Sequence, residues 1–229
     1  MINVRRPPNE PADLAHQRVL AAGTCNTPAI RLAVANTFFN KCYLCETDKA
    51  PHEIEHLEAH GEVAAIKFRW NNLFYACPTC NGIKSITNND ILDCCDFTTI
   101  ITDTIRFDTN NNNIENFVVD ISSNNVTAPV VKTVTLLNRC YTGTTFESIN
   151  VAFEKKKYLI EELNKLKVLI KEYFHNMRQG INARAAEKMT AIRAELQLSK
   201  PFLAFKITFI REEATLLATF GHLLPQFTP

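Results

Sequence analysis

Glycine is scarce in this chain, with six among 229 residues, and there is one tryptophan and there are three methionines. That composition excludes collagen-like and low-complexity classes. Long apolar runs are missing too. The most apolar stretch, near the C-terminus, is cut by Lys206, Arg211, Glu212 and Glu213, so no segment approaches the roughly 20 residues a membrane span needs. Charge excess is absent: the net charge is +1, and with 46% hydrophobic residues a wholly disordered chain is excluded. The strongly basic footprint of a freestanding nucleic-acid-binding domain is absent as well. No apolar run follows Arg5 and Arg6, so no secretory leader is expected and the chain reads as cytoplasmic. In a reducing compartment its eight cysteines point to metal ligation ahead of disulfides.

The near-neutral total conceals segregation. Residues 86–130 carry Asp90, Asp93, Asp96, Asp103, Asp108, Glu115 and Asp120 against Arg106 alone, a net −6, whereas residues 151–200 come to +5. Two partners, mutual docking or two solvated faces all fit that division. Residues 13–40 read as two short helices, the second opened by Pro28 and carrying Ile30, Val34 and Phe38. Residues 97–137 favour strands, with 97–107 and 114–121 rich in β-branched residues around a hairpin loop at 110–113. From Phe146 the pattern becomes helical. Leu159, Leu163, Leu166, Ile170, Tyr173 and Met177 form a seam that ends at Gly180. Ala185, Met189, Ile192 and Leu196 line a second helix. Pro201 opens a third, with Leu203, Ile207, Ile210, Ala214 and Leu217.

Chemistry concentrates between these regions. Cys42 and Cys45 form one Cys-x-x-Cys pair, Cys77 and Cys80 another, 31 residues apart. Two such knuckles complete a tetrahedron around Zn²⁺, and four cysteines leave no open coordination position, so this zinc is expected to be structural. Between the pairs stand Glu55, His56, Asn71 and Asn72; Asn81 follows the last cysteine and Lys84 comes three residues later. A binding ribbon has no need of this set, but phosphodiester hydrolysis does. It requires a hard cation at the phosphate, for which Glu55 and Asn81 offer oxygens to Mg²⁺ or Mn²⁺, and a base near neutral pKa, for which His56 is suited. Adjacent strand residues point to opposite faces, so Glu55 and His56 are expected at a strand end, flanking the metal from two sides. His52 and His60 lie four residues from His56 on either side and read as loop histidines, with ligation or phosphate contact as alternatives. Trp70 reads as a core anchor, Cys25 and Cys140 as lone core thiols, and the adjacent Cys94 and Cys95 as small buried residues. Lys155, Lys156 and Lys157 read as a wet helix face.

Cys-x-x-Cys, Glu-His, Asn-Leu and Cys-x-x-Cys-Asn-x-x-Lys, over residues 41–85, resemble the zinc-supported HNH endonuclease family with its ββα-metal core. The resemblance implies Glu55 and Asn81 as catalytic-metal ligands and His56 as the base that activates water. It also implies Asn72, before Leu73, as the residue that orients the histidine, with Asn71 the fallback, and Lys84 facing phosphate. Glu stands where many members have Asp. Met1, Val4, Arg6, Pro7 and Pro8, with the segments at 70–73, 105–107 and 135–138, are similar to a subgroup: the HNH subunits of Septu-type and retron-associated antiphage systems. That resemblance implies an ABC-type ATPase partner docked on the C-terminal module. Many members carry a lysine near the position of His60.

The expected fold is α+β: a helical arm at 1–40, a zinc-braced HNH core at 41–98, a strand-rich excursion at 99–145 and a helical module at 146–229. The expected function is metal-dependent cleavage of nucleic acid, DNA ahead of RNA, in antiphage defence. A catalytically inactive zinc ribbon that binds nucleic acid or protein competes with it, and a nuclease held off by its partner is a third reading.

Overall fold

The computed structural model describes residues 1–86, 88–109 and 118–228. Two helices, α1 (Ala12–Val19) and α2 (Pro28–Thr37), open the chain as the sequence predicts. Pro28 sits at the first helical turn, where its missing N–H costs nothing, and the Thr27 side chain accepts the Ile30 N–H. Next comes a strand–strand–helix unit. β1 (Glu53–His56) pairs antiparallel with β2 (Leu73–Ala76), His56 opposite Leu73 and Glu55 opposite Phe74, and α4 (Pro78–Lys84) follows. A one-turn helix, α3 (Ala64–Lys67), and a 3-10 turn, Trp70–Asn72, lie in the β1–β2 connection. A second antiparallel pair, β3 (Arg106–Thr109) and β4 (Val119–Ser122), follows the short α5 (Ile101–Thr104). The rest is helical: α6 (Ala128–Thr142), α7 (Phe146–Arg178), α8 (Asn182–Glu195), α9 (Leu203–Glu212) and α10 (Ala214–Phe220). The chain is α+β, and among the described residues no helix is long and apolar enough to cross a membrane.

The expected strand region is corrected. Residues 97–105 form turns and α5, leaving β3 as the strand there, and 128–142 is helix. β-branched content suggested strand in α6, but Val130, Thr133, Leu136, Leu137, Cys140 and Tyr141 fall at helical spacing and all are buried; packing overrode propensity. The hairpin loop expected at 110–113 and the first part of the strand expected at 114–121 lie outside the described residues. The third C-terminal helix is two. Phe202, at φ +54, starts α9 after Pro201, and Glu213 interrupts it, its carboxylate accepting the Thr215 and Leu216 N–H groups to begin α10. In α7 the seam holds from Leu159 to Ile170, while Met177 at its end is exposed. Each buried leucine of that seam is worth about 1.5–3 kcal/mol of transfer free energy.

One hydrophobic cluster runs through all four expected segments, from Met1 to Leu224. Polar contacts tie both ends of the chain to its centre. From the N-terminal side, Arg6 donates to the Trp70 carbonyl (3.0 Å), Trp70 Nε1 to the Pro7 carbonyl (2.9 Å) and Arg18 to the Phe68 carbonyl (2.8 Å). From the C-terminal side, buried Glu46 accepts the Leu203 N–H at the start of α9, and Lys41 donates to the Leu198 and Lys200 carbonyls. Lys206, wholly buried in α9, is held by Glu162 and Glu195. Both fringes therefore hold the middle of the chain in place.

Candidate functional site

Two groups of side chains stand out, and they are built on opposite principles. The first is the cysteine cluster. Cys42 and Cys45 lie in a tight turn closed by the Glu46 N–H on the Cys42 carbonyl, with Glu46 at φ +58. Cys77 caps α4 and Cys80 lies in its first turn. All four thiols are buried and their sulfurs lie within 4.8 Å of one another. The Cys45 and Cys77 sulfurs are 3.9 Å apart. Four sulfurs at 2.3 Å from one tetrahedral ion would be about 3.8 Å apart, so the donor set fits such an ion. These cysteines are positioned to hold a metal.

Two groups from the helical module close over them. The Tyr141 hydroxyl donates to the Cys45 carbonyl at 2.9 Å. Lys155, expected on a wet face, is buried, its ammonium 2.7 Å from the Cys140 carbonyl and 3.5 Å from the Cys80 sulfur. Burial works against the charged form of Lys155, but the surrounding thiols Cys45, Cys80 and Cys140 raise its pKa well above the ordinary lysine value. Cys140, expected to be a core thiol, is free and fully buried, and its backbone carbonyl anchors the lysine that faces the cluster.

The second group lines a pocket of about 390 Å³ that includes Glu55, His56, His60, Asn81 and Lys84. His56 is the last residue of β1, at the strand end expected for it. Its Nε2 lies 3.0 Å from the Lys67 carbonyl. A carbonyl can only accept, so Nε2 carries the proton and Nδ1 keeps its lone pair. Among the described residues Nδ1 meets no partner. Burial pushes the His56 pKa down to about 4, with the Lys67 carbonyl pulling the other way. The imidazole is neutral at neutral pH.

The Lys67 carbonyl is held in its turn. Asn72, buried at 3% exposure, donates to the Glu58 and Ile66 carbonyls (2.9 and 3.2 Å) and accepts the Glu58 N–H (2.7 Å). It staples the β1–β2 connection at both ends and so fixes the carbonyl that orients His56. Asn72 takes this place; the fallback, Asn71, is exposed. The Cys25 thiol also donates to the Lys67 carbonyl, at 3.2 Å. Sequence reasoning missed the Lys67 carbonyl, since a backbone acceptor leaves no trace in residue type, and read Cys25 only as a core thiol.

Glu55 and Asn81 line the same pocket. The Asn81 amide nitrogen donates to Glu53 Oε1 at 2.7 Å, which leaves its oxygen as an acceptor. Glu55, 5% exposed, accepts the Tyr43 hydroxyl (3.0 Å) and pairs with Lys84 (2.7 Å). Burial raises its pKa, and Lys84 opposes that rise. Both Glu55 oxygens thus have a protein partner, and each keeps a second lone pair. Lys84 departs from expectation. It is 1% exposed and its ammonium lies between Glu55 and the His56 carbonyl (2.9 Å), so it orders β1 from within and does not face outward to phosphate. Glu53, unremarked in the sequence, stands beside Asn81.

Elsewhere, His52 stacks on Tyr75 and its Nε2 lies 2.9 Å from the Thr47 carbonyl, a structural role. Trp70 is a buried anchor, as expected. Cys94 and Cys95 are joined by Asp93, the three side-chain ligand atoms within 4.8 Å of one another. Compared with known proteins, the chain matches no family model, no curated protein and no solved structure.

Proposed function

We propose that residues 53–84 form an HNH-type ββα-metal nuclease core braced by a structural zinc on Cys42, Cys45, Cys77 and Cys80, and that the protein hydrolyses phosphodiester bonds in nucleic acid. The observation that carries this reading is the fixed tautomer of His56: a neutral imidazole with its proton held on Nε2 by a stapled carbonyl and a bare Nδ1 in a pocket shared with Glu55 and Asn81. A zinc ribbon built only for binding has no use for such a base.

Nδ1 of His56 would take the proton of the attacking water as its oxygen bonds to phosphorus; the bond to the leaving sugar oxygen breaks and that oxygen picks up a proton from solvent. Asn72 holds the base still, and Lys84 holds the strand that carries it. Mg²⁺ or Mn²⁺, held by Glu55 and Asn81, would supply charge neutralisation at the phosphate. The sequence resemblance, rather than the geometry, supports the ABC-type ATPase partner and the antiphage role.

The test is cleavage of plasmid DNA and of RNA with Mg²⁺ or Mn²⁺, by wild type and by His56→Ala, with and without such an ATPase. Metal-dependent cleavage lost in His56→Ala supports the reading. No cleavage of any substrate under either condition, in a protein that still binds zinc, overturns it in favour of the binding module.

A further inference from the structure

With Lys84 buried against Glu55, the pocket needs another donor for phosphate, and one is present. His60 lines the pocket beside His56, the two rings edge to face with centroids 4.5 Å apart. His60 Nδ1 accepts the Glu62 N–H at 3.0 Å, so a neutral His60 carries its proton on Nε2. Among the described residues that N–H meets no partner. The Glu62 carboxylate pairs with Lys67 at 2.9 Å and lies 3.7 Å from His60 Nδ1, on the far side of the ring from that N–H. The two histidines are thus complementary: His56 has a bare nitrogen and His60 a bare N–H.

Resting on the nuclease reading above, we infer that His60 is a substrate-contacting residue whose Nε2–H donates to a non-bridging oxygen of the scissile phosphate. Geometry rules out the other role open to a second histidine. In an in-line displacement the attacking and leaving oxygens lie on opposite sides of phosphorus, so a base and an acid serving them must face each other across the phosphate. Rings in edge-to-face contact leave no room for a phosphate between them. His60 therefore approaches from the same side as His56 and reaches an equatorial oxygen, where charge accumulates as the phosphorus is attacked.

The experiment uses the full chain and a DNA duplex and RNA strand carrying Rp or Sp phosphorothioate linkages at cleavage sites mapped on unmodified substrate. Loss of one well-placed donor lowers kcat by about 10²-fold. His60→Ala is expected to show a loss of that order with KM moved far less, and His60→Gln, which keeps a neutral N–H donor, to recover part of it. In wild type, sulfur at one non-bridging position slows cleavage and Mn²⁺ does not relieve it; in His60→Ala that penalty disappears. A packing role for His60 would leave the sulfur penalty in place. Histidine ¹⁵N spectra with a thymidine dinucleotide give a second readout that needs no turnover, since binding should displace the His60 Nε2–H signal. Cleavage with an unchanged sulfur penalty in His60→Ala, or without displacement of that signal, overturns the contact alone. Displacement without cleavage overturns the nuclease reading alone, and the absence of both overturns the two together.

Discussion

The two candidate centres share α4 and differ in every respect that matters for chemistry. The cysteine cluster is complete in ligands: four buried thiols fill a tetrahedral donor set, with an ammonium and a tyrosine hydroxyl packed against it. The pocket is unsaturated: among the described residues His56 Nδ1 and the His60 Nε2–H meet no partner, and both residues line it together with Asn81. Cys80 and Asn81 are consecutive residues, so a single helical turn delivers one side chain to each centre. What separates the two centres is the completeness of the partners, since α4 is common to both.

The largest expected effect breaks the closed side. Cys77→Ser removes a ligand from a centre whose structural zinc would contribute on the order of 10 kcal/mol to folding. That approaches the whole stability of a domain this size. Circular dichroism with a zinc assay should show loss of both fold and metal, and a folded, zinc-free variant would show that the cluster is not a folding centre. Lys155→Met comes next. It leaves the ligands in place but strips the ammonium facing the Cys80 sulfur. Altering such an outer partner costs roughly 10–100-fold in metal affinity. Chelator-driven zinc release should quicken accordingly, while Lys157→Met, on the exposed side of the same helix, should release zinc at the wild-type rate.

On the open side, Asn72→Ala would orphan the Glu58 carbonyl and N–H and take one donor from the Ile66 carbonyl, which keeps the Arg69 N–H. Each buried group left without a partner costs about 1–3 kcal/mol. Zinc content should be untouched, thermal stability lowered, and cleavage reduced through kcat, because the carbonyl that aims His56 loosens. Equal loss of zinc and of activity would mean that the two centres are not separable.

The sequence carries the ligand set of the cysteine cluster, because spacing alone places the four thiols in two knuckles. It carries the helical seams as well, since burial repeats at 3.6 residues. What it did not carry depends on tertiary partners. Lys84 and Lys155 look like solvated lysines, and only folding shows them buried against Glu55 and Cys80. The Lys67 carbonyl is invisible to residue type. In α6, β-branched residues that fit a strand were recruited to helix by the surface they bury. These misses share a cause: local preference is weak against the cost of leaving a buried group unpartnered.

The smallest effect is a matter of pH, and it sharpens the contrast because it tests whether the open pocket is still dry enough to tune its base. Burial pushes the His56 pKa down to about 4. The active form is the neutral one, so the acid limb of kcat/KM should lie well below the usual histidine value of about 6.5, and the rate should stay level as the pH falls from 7 toward 5. Stability should move with the opposite cost. In the folded chain the imidazole resists protonation and in the unfolded chain it does not. The stabilisation from His56 is therefore complete above about pH 6.5 and is lost as the pH falls from there toward 4. Any acid effect on the cysteine cluster is common to wild type and His56→Gln, so the difference between their unfolding profiles isolates the histidine. The wild type should lose stability relative to His56→Gln as the pH is lowered. Parallel profiles, with an inflection of kcat/KM near 6.5, would mean that His56 is solvated and that its carbonyl clamp does not set its proton.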